Sequence, residues 1–290
     1  MKKHNAVYSV LFLSPAFILF TAFIIIPICF VIYYSMTKWN GMGSPVFIWF
    51  ANYKKMFGSM EYWVVIKNSF ALIAVSLFVQ IPIGLIIAYM IYRTKRGVKF
   101  FRSVFFLPVV IAPTAIALMF SLFLNSNLGP VNIFLGKIGL ESLQMSWLSD
   151  SKVVLWSVIL PGIYQYIGFY VVIFLAALYG LPEEVFESAS IDGASTMNMF
   201  FRIAIPMLKD VLGICAILGV TGSLKAFEHP YIMTWGGPGV QSTFLGLYIY
   251  KTAFTDFNFG YAGTIAVSVL FISILFTIFL RKMLMKTYSD

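Results

Sequence analysis

The sequence predicts an all-α integral membrane protein with six transmembrane helices, and three observations carry that prediction. Of its 290 residues, 60% are hydrophobic and only 11% charged, a composition foreign to soluble domains. Uncharged stretches recur that approach or exceed the roughly 20 residues needed to cross a bilayer. The net charge of +9 gathers beside those stretches. That placement points to orientation by the positive-inside rule rather than to nucleic acid.

The first span, about 9–36, lies within an uncharged run from Asn5 to Thr37 that follows Lys2 and Lys3. The two lysines look like the start of a signal peptide. The apolar run is too long for one and lacks a clear small-x-small cleavage site, so a retained helix is expected. Pro15 and Pro27 should kink or flex it. The second span, 68–92, carries Gln80, Pro82 and Gly84 in its middle and ends in Arg93, Lys95, Arg96, Lys99 and Arg102. The third, 104–124, has Pro108 and Pro113 in its first half, and the fourth, 153–179, holds Pro161, Gly162, Gln165 and Gly168. The fifth is the least distinct, because only Val211 to Leu224 is free of charge, too short a run to cross alone. Extending it to 203–227, with Lys209 and Asp210 near the surface, restores the length. The sixth, 257–280, closes with Arg281 and Lys282.

With both termini in the cytoplasm, the cytoplasmic side holds 12 of the 20 lysines and arginines on the shorter loops. Trp39, Trp49, Trp63, Trp147, Trp156 and Trp235 then fall on or near the outer side, most as interfacial anchors and a minority as flat faces on which a ring can stack. Cys29 and Cys215 lie in apolar runs without metal-ligand spacing and read as buried thiols. The outer loops, about 38–63, 125–151 and 228–256, leave no room for another domain. A single membrane domain, 1–290, is expected.

One hydrophilic excursion carries a pattern: Leu181–Leu208, LPEEVFESASIDGASTMNMFFRIAIPML. Gly180 suits the end of a helix and Pro182 the first turn of the next. Glu183 and Glu184 sit where the helix dipole favours negative charge. Val185, Phe186 and Ala189 fall at helical spacing. Gly193 permits a sharp bend, and Ser195 can cap a second short helix leading to Ile203 and Pro206. The local physics gives helix, turn, helix at a membrane surface.

The same residues carry a resemblance. Glu187-Ser188-Ala189, Gly193, Ile203 and Pro206 stand at the E-A-A, G, I and P positions of the EAA loop of ABC-importer permeases. Leu181-Pro182, Ile191-Asp192-Gly193-Ala194 and Phe200 resemble the form found in the maltose and glycerol-3-phosphate sugar branch. Ser188 replaces the usual alanine, small for small. Gly129–Leu140, Leu224–Phe254 and Phe259–Phe271 add likeness to sugar permeases over most of the chain. The resemblance implies a type I ABC importer permease fold with cytoplasmic EAA coupling helices, the coupling loop covering about 181–202. It further implies a second homologous permease subunit, two ATPase subunits, an extracytoplasmic solute-binding protein and a sugar substrate. The place would be the bacterial cytoplasmic (inner) membrane. Glu187, Ser188, Ala189, Asp192, Gly193, Ala194, Ile203 and Pro206 would couple to the ATPase.

Catalytic chemistry is not encoded. No G-x-x-x-x-G-K-[ST] occurs; Gly136-Lys137 and Gly236-Gly237-Pro238-Gly239 lack the spacing or the hydroxyl. Thr234–Gly239 reads as an outer turn. The two histidines, His4 and His229, supply no metal cluster, and His229 beside Glu228 reads as a surface pair at the outer end of the fifth span. No cofactor is expected, and ATP hydrolysis falls to partner subunits. Polar residues inside spans are costly and face a cavity or another helix. Asn68, Gln80, Tyr164, Gln165, Tyr166, Thr221 and Lys225 are therefore candidates for the substrate path, with helix–helix hydrogen bonding the alternative for each. Tyr164-Gln165-Tyr166 joins amide groups to flat aromatic faces and is the leading candidate for a sugar contact. Two other functions compete: an integral-membrane enzyme or insertion factor, which would need ionisable groups within its spans, and a permease for glycerol-3-phosphate, a polyamine or another small solute.

Overall fold

The computed structural model describes residues 12–94 and 96–284. Positions 9–11 of the expected first span, the lysines at 2, 3, 95 and 286, and His4 lie outside the described residues. Among those described, five helices are long and apolar enough to cross a membrane, six when one bent pair is counted as a single broken span.

The first span, α1 (Phe12–Ser35), accommodates Pro27 without a break. The turn before it, Thr21–Ile25, is π-helical, with the Ile26 N–H donating to the Thr21 carbonyl. Proline lacks an N–H and its ring collides with the carbonyl four residues back; one extra residue in the turn moves that carbonyl aside. The same device recurs at Ser76–Gln80 before Pro82 and at Phe200–Ala204 before Pro206. In all three an isoleucine precedes the proline.

By contact the described chain divides into two units, one joining the residues up to Met60 with Tyr248–Phe271, the other joining Glu61–Leu247 with those from Ile272 onward. In the first, a ribbon of β1 (Thr37–Lys38) and β2 (Val46–Phe47) pairs antiparallel after α1 and leads to the short helix α2 (Ala51–Phe57). Buried Asn52 donates to the carbonyls of Ser35 (3.0 Å) and Thr37 (2.8 Å), closing the end of α1. Trp39 stacks on Tyr34 at 4.4 Å and donates to the Gly43 carbonyl, so it packs within the protein. Cys29 is exposed in the chain, contrary to the buried thiol expected, because its side of α1 faces away from the protein's own core; Cys215 is buried.

The second unit is built on α3 (Met60–Arg93), which begins eight residues before the expected span. The third span is not straight. It is a helix α4 (Val98–Val110) and a helix α5 (Pro113–Phe123) meeting at 90°. Pro113 forces its predecessor out of the helical region, and Ile111 and Ala112 are extended, with ψ of 138° and 132°. A loop follows with a short helix α6 (Pro130–Lys137), knotted by Asn132, which bonds Ser126, Met145 and Trp147 at 2.9, 3.0 and 2.8 Å. Trp147 is thus a loop fastener.

The fourth span, α7 (Val154–Tyr179), is the centre of the unit. Its contact with α3 is lined by Leu85, Ala88, Val171, Phe174 and Leu178, all buried. After it come α8 (Glu183–Ile191) and a helical stretch α9 over 196–207, π-helical at Phe200–Ala204. The fifth span starts later than expected. Helical geometry lapses at Leu208, and α10 (Lys209–Leu224) continues past a break at 225–227 into α11 (Glu228–Met233). Its missing length is thus found toward its far end rather than back through Ile203. A short helix α12 (Leu245–Tyr250) and the last span α13 (Phe259–Leu284) complete the chain.

Small residues allow the close crossings, as is usual between membrane helices. A Cβ on Gly84 of α3 would lie 2.8 Å from that of Tyr170 on α7, and one on Gly168 would strike the Phe105 carbonyl oxygen of α4. The backbone there cannot yield like a flexible side chain. Gly168→Ala is expected to cost about 1–3 kcal/mol by overpacking. A lowered thermal unfolding midpoint in detergent would show it, and an unchanged midpoint would mean that α4 is free to shift.

Candidate functional site

The excursion after α7 folds as its sequence dictates. Gly180 ends α7 with φ −84°, so it acts as a stop without the left-handed conformation. Pro182 sits at the N-cap of α8 rather than in its first turn, and Glu183 and Glu184 follow in that turn. At the other end the Gly193 N–H donates to Ser190 (3.2 Å) and the Ala194 N–H to Ala189 (2.9 Å). Those two bonds, with Gly193 at φ +76°, make a Schellman stop. Ser195 then caps α9 by accepting from the Asn198 N–H at 3.3 Å.

One face of this loop is fastened and the other is open. Phe186, 4% exposed, lies 5.7 Å from the Tyr92 ring near the end of α3, and Tyr92 lies 5.3 Å from Tyr179 at the end of α7. Phe200 packs on Tyr89 at 4.8 Å, and the Tyr89 hydroxyl donates to the Thr196 carbonyl at 3.3 Å. Ala189, Ala194 and Ile203 are half-buried in the same apolar cluster. Glu187, Ser188, Asp192 and Pro206 are exposed, as are Met197 and Phe201, while Ile191 is 86% exposed. An acidic and apolar surface is thereby held rigidly at the ends of two spans.

The second feature is a cavity of ≈ 600 Å³ between α3, α7, α10 and α11. That volume suits a small molecule of about drug size. Gln80, Tyr166, Thr221, Lys225, Glu228 and His229 are its main polar lining, among apolar walls. The structure separates Tyr164, Gln165 and Tyr166, because successive helical residues point about 100° apart. Only Tyr166 lines the cavity; Tyr164 packs on Phe120 at 5.7 Å. Gln165 is 0% exposed and turned between helices.

Several candidates spend their polar groups on the protein itself. Gln80 donates to the Gly162 carbonyl at 3.0 Å and accepts from Ser76 at 3.2 Å, bridging α3 and α7 beside Pro161. Asn68 points its amide at the carbonyls of Val240, Gln241 and Thr243 at 3.0, 3.0 and 3.1 Å, clamping the end of the Gly-rich turn. Thr221 donates to Ile217 one turn back. Lys225 is exposed on the cavity wall. His229, read from the sequence as a surface residue, is 8% exposed and bonded to Gln165 at 3.1 Å. No local signal marks that burial, because the break at 225–227 ends the helical spacing and Gln165 lies 64 positions away.

The chain matches the family described as "Binding-protein-dependent transport system inner membrane component" over residues 80–286. It is 34% identical to "Probable ABC transporter permease protein YurN" of Bacillus subtilis, over 97% of both chains. It is 30% identical to "Multiple sugar-binding transport system permease protein MsmF" of Streptococcus mutans, over 94% of this chain and 93% of that one. Among solved structures, one chain of a bacterial ABC transporter involved in the import of alginate superposes with a TM-score of 0.83 at 24% identity, covering 99% of this chain and 98% of that one. That superposition bears on the fold.

Proposed function

Because the chain belongs to the binding-protein-dependent transport system inner membrane component family, we propose that it forms half of the pore of an ATP-driven sugar importer and couples to the ATPase through α8. The open face of the loop, held on Tyr89 and Tyr92, carries the coupling reading. A partner seated on Glu187, Ser188 and Asp192 would push on α8, and the aromatic contacts would pass that push to α3 and α7. The cavity lies between those helices and α10, so cargo access would change with their spacing.

Relatives such as MsmF support a carbohydrate cargo. Lys225 and Glu228 give the cavity one charge of each sign, which favours a neutral polyhydroxylated solute over an anion or a polyamine. A companion permease, two ATPase subunits and an extracytoplasmic solute-binding protein complete the proposed assembly. Both termini and α8 would lie in the cytoplasm.

Reconstitution tests the reading. In right-side-out vesicles holding all partners, ATP-dependent uptake of at least one sugar from a labelled panel is expected, and none with this chain alone. In a version with Cys29 and Cys215 replaced by serine, Ser195→Cys should be shielded from an impermeant outside thiol reagent and Gly239→Cys labelled. ATP hydrolysis by the pure chain, or outside labelling at position 195, would overturn the proposal.

A further inference from the structure

The break between α4 and α5 leaves the Ile111 carbonyl without a helical partner. The Ala115 N–H, which would bond that carbonyl in a continuous helix, donates to Ala112 at 2.9 Å instead. Gln165 fills the gap, its Nε2 donating to the Ile111 oxygen at 2.9 Å. That bond fixes the amide, since the flipped side chain would set two carbonyl oxygens against each other. The Gln165 Oε1 must then face His229 Nε2, 3.1 Å away. An amide oxygen only accepts, so Nε2 of His229 carries the proton.

In the neutral ring the other nitrogen, Nδ1, is left as an acceptor. No protein group among the described residues donates to it. It faces Gly162, where a Cβ would stand 4.0 Å from Nδ1, and both Gly162 and His229 line the cavity. A glycine at that point leaves the nitrogen open to the cavity.

We propose that Gln165 is a positioning residue: it holds His229 as the Nε2–H tautomer and so presents Nδ1 as an acceptor for a hydroxyl of the cargo. The sugar part of this assignment rests on the importer reading; the tautomer does not. One long-range chain of contacts, Ile111–Gln165–His229, thereby ties the bend of a broken span to the chemistry of the cavity wall.

The tautomer can be read directly. The chain has two histidines, so with His4→Gln and no polyhistidine tag, ¹⁵N-histidine labelling of the full chain in nanodiscs reports His229 alone by solid-state NMR. A pyrrole-type Nε2 and a pyridine-type Nδ1 are expected, and Gln165→Leu should give a mixture of tautomers. An Nδ1–H or doubly protonated ring in the otherwise unchanged chain, or a spectrum indifferent to Gln165→Leu, would overturn the assignment.

The cargo role is tested in the reconstituted importer with the labelled sugar panel. His229→Phe keeps an aromatic ring without an acceptor and should lower uptake about tenfold through KM, the loss of roughly one hydrogen bond. His229→Gln, whose amide can donate to Gln165 and whose oxygen can accept, should stay within about threefold. Full uptake by His229→Phe would remove the acceptor role. If instead the expected tautomer is found while no sugar enters through the unsubstituted importer, the importer reading and the cargo role fall together and the positioning by Gln165 stands.

Discussion

Glu187→Lys is expected to stop uptake while leaving the chain folded and inserted. Glu187 is exposed on α8 and bonds no other side chain among the described residues, so the substitution should change the protein's own stability by no more than about 0.5 kcal/mol. Losing a charge-assisted contact with a partner costs more, about 1.5–3 kcal/mol. That corresponds to a roughly tenfold to 150-fold weaker association. Gly193→Asp supplies a second route to the same surface. Nothing lies within 4 Å of a Cβ at Gly193, and its φ of +76° makes the substitution strained by about 1 kcal/mol, not impossible. Such a strain is too small to unfold the loop. Expression, detergent stability and ATPase co-purification, measured together for both variants, separate misfolding from lost docking. Variants that fold, hold the ATPase and carry sugar at the full rate would end the coupling proposal.

Much of that loop was legible because its determinants are local. Gly193 and Ser195 act on bonds no more than five residues away, and their roles follow from backbone chemistry that any reader of the sequence can apply. Span number was legible for a similar reason: apolar length is a local property. The bend at Ile111 was half-legible, since Pro113 announces an extended predecessor but not a 90° turn. Asn68 lies at the other extreme, its three acceptors more than 170 residues along the chain. His229 was misread because its neighbour Glu228 suggested a surface pair, whereas the partner that buries it is 64 residues away. Polar residues in membrane helices choose partners by three-dimensional proximity, so sequence can mark them as costly without saying which of them face cargo. Gln165 binds the carbonyl of Ile111 at the break before Pro113, repairing what proline disturbs, while Gln80 binds the Gly162 carbonyl and joins two helices.

Phe186→Ala is expected to separate docking from transmission. Phe186 belongs to the buried cluster that fastens α8 to α3, while Glu187, Ser188 and Asp192 on the open face are untouched by its loss. Removing a ring from a packed core costs about 3–5 kcal/mol, enough to loosen a nine-residue helix from its support. The Tyr92 ring at 5.7 Å would lose its neighbour, and with it the link through Tyr179 to α7. The ATPase should therefore still co-purify with the variant, yet sugar carried per ATP hydrolysed should fall at least about tenfold, as expected if several kcal/mol of coupling are lost. Phe186→Leu keeps most of the apolar volume and should recover much of the ratio. The two substitutions at neighbouring positions then give opposite phenotypes: Glu187→Lys loses the partner, and Phe186→Ala keeps the partner but idles. A Phe186→Ala importer that moves sugar at the normal ratio would show that force reaches the spans by another path, such as Phe200 on Tyr89.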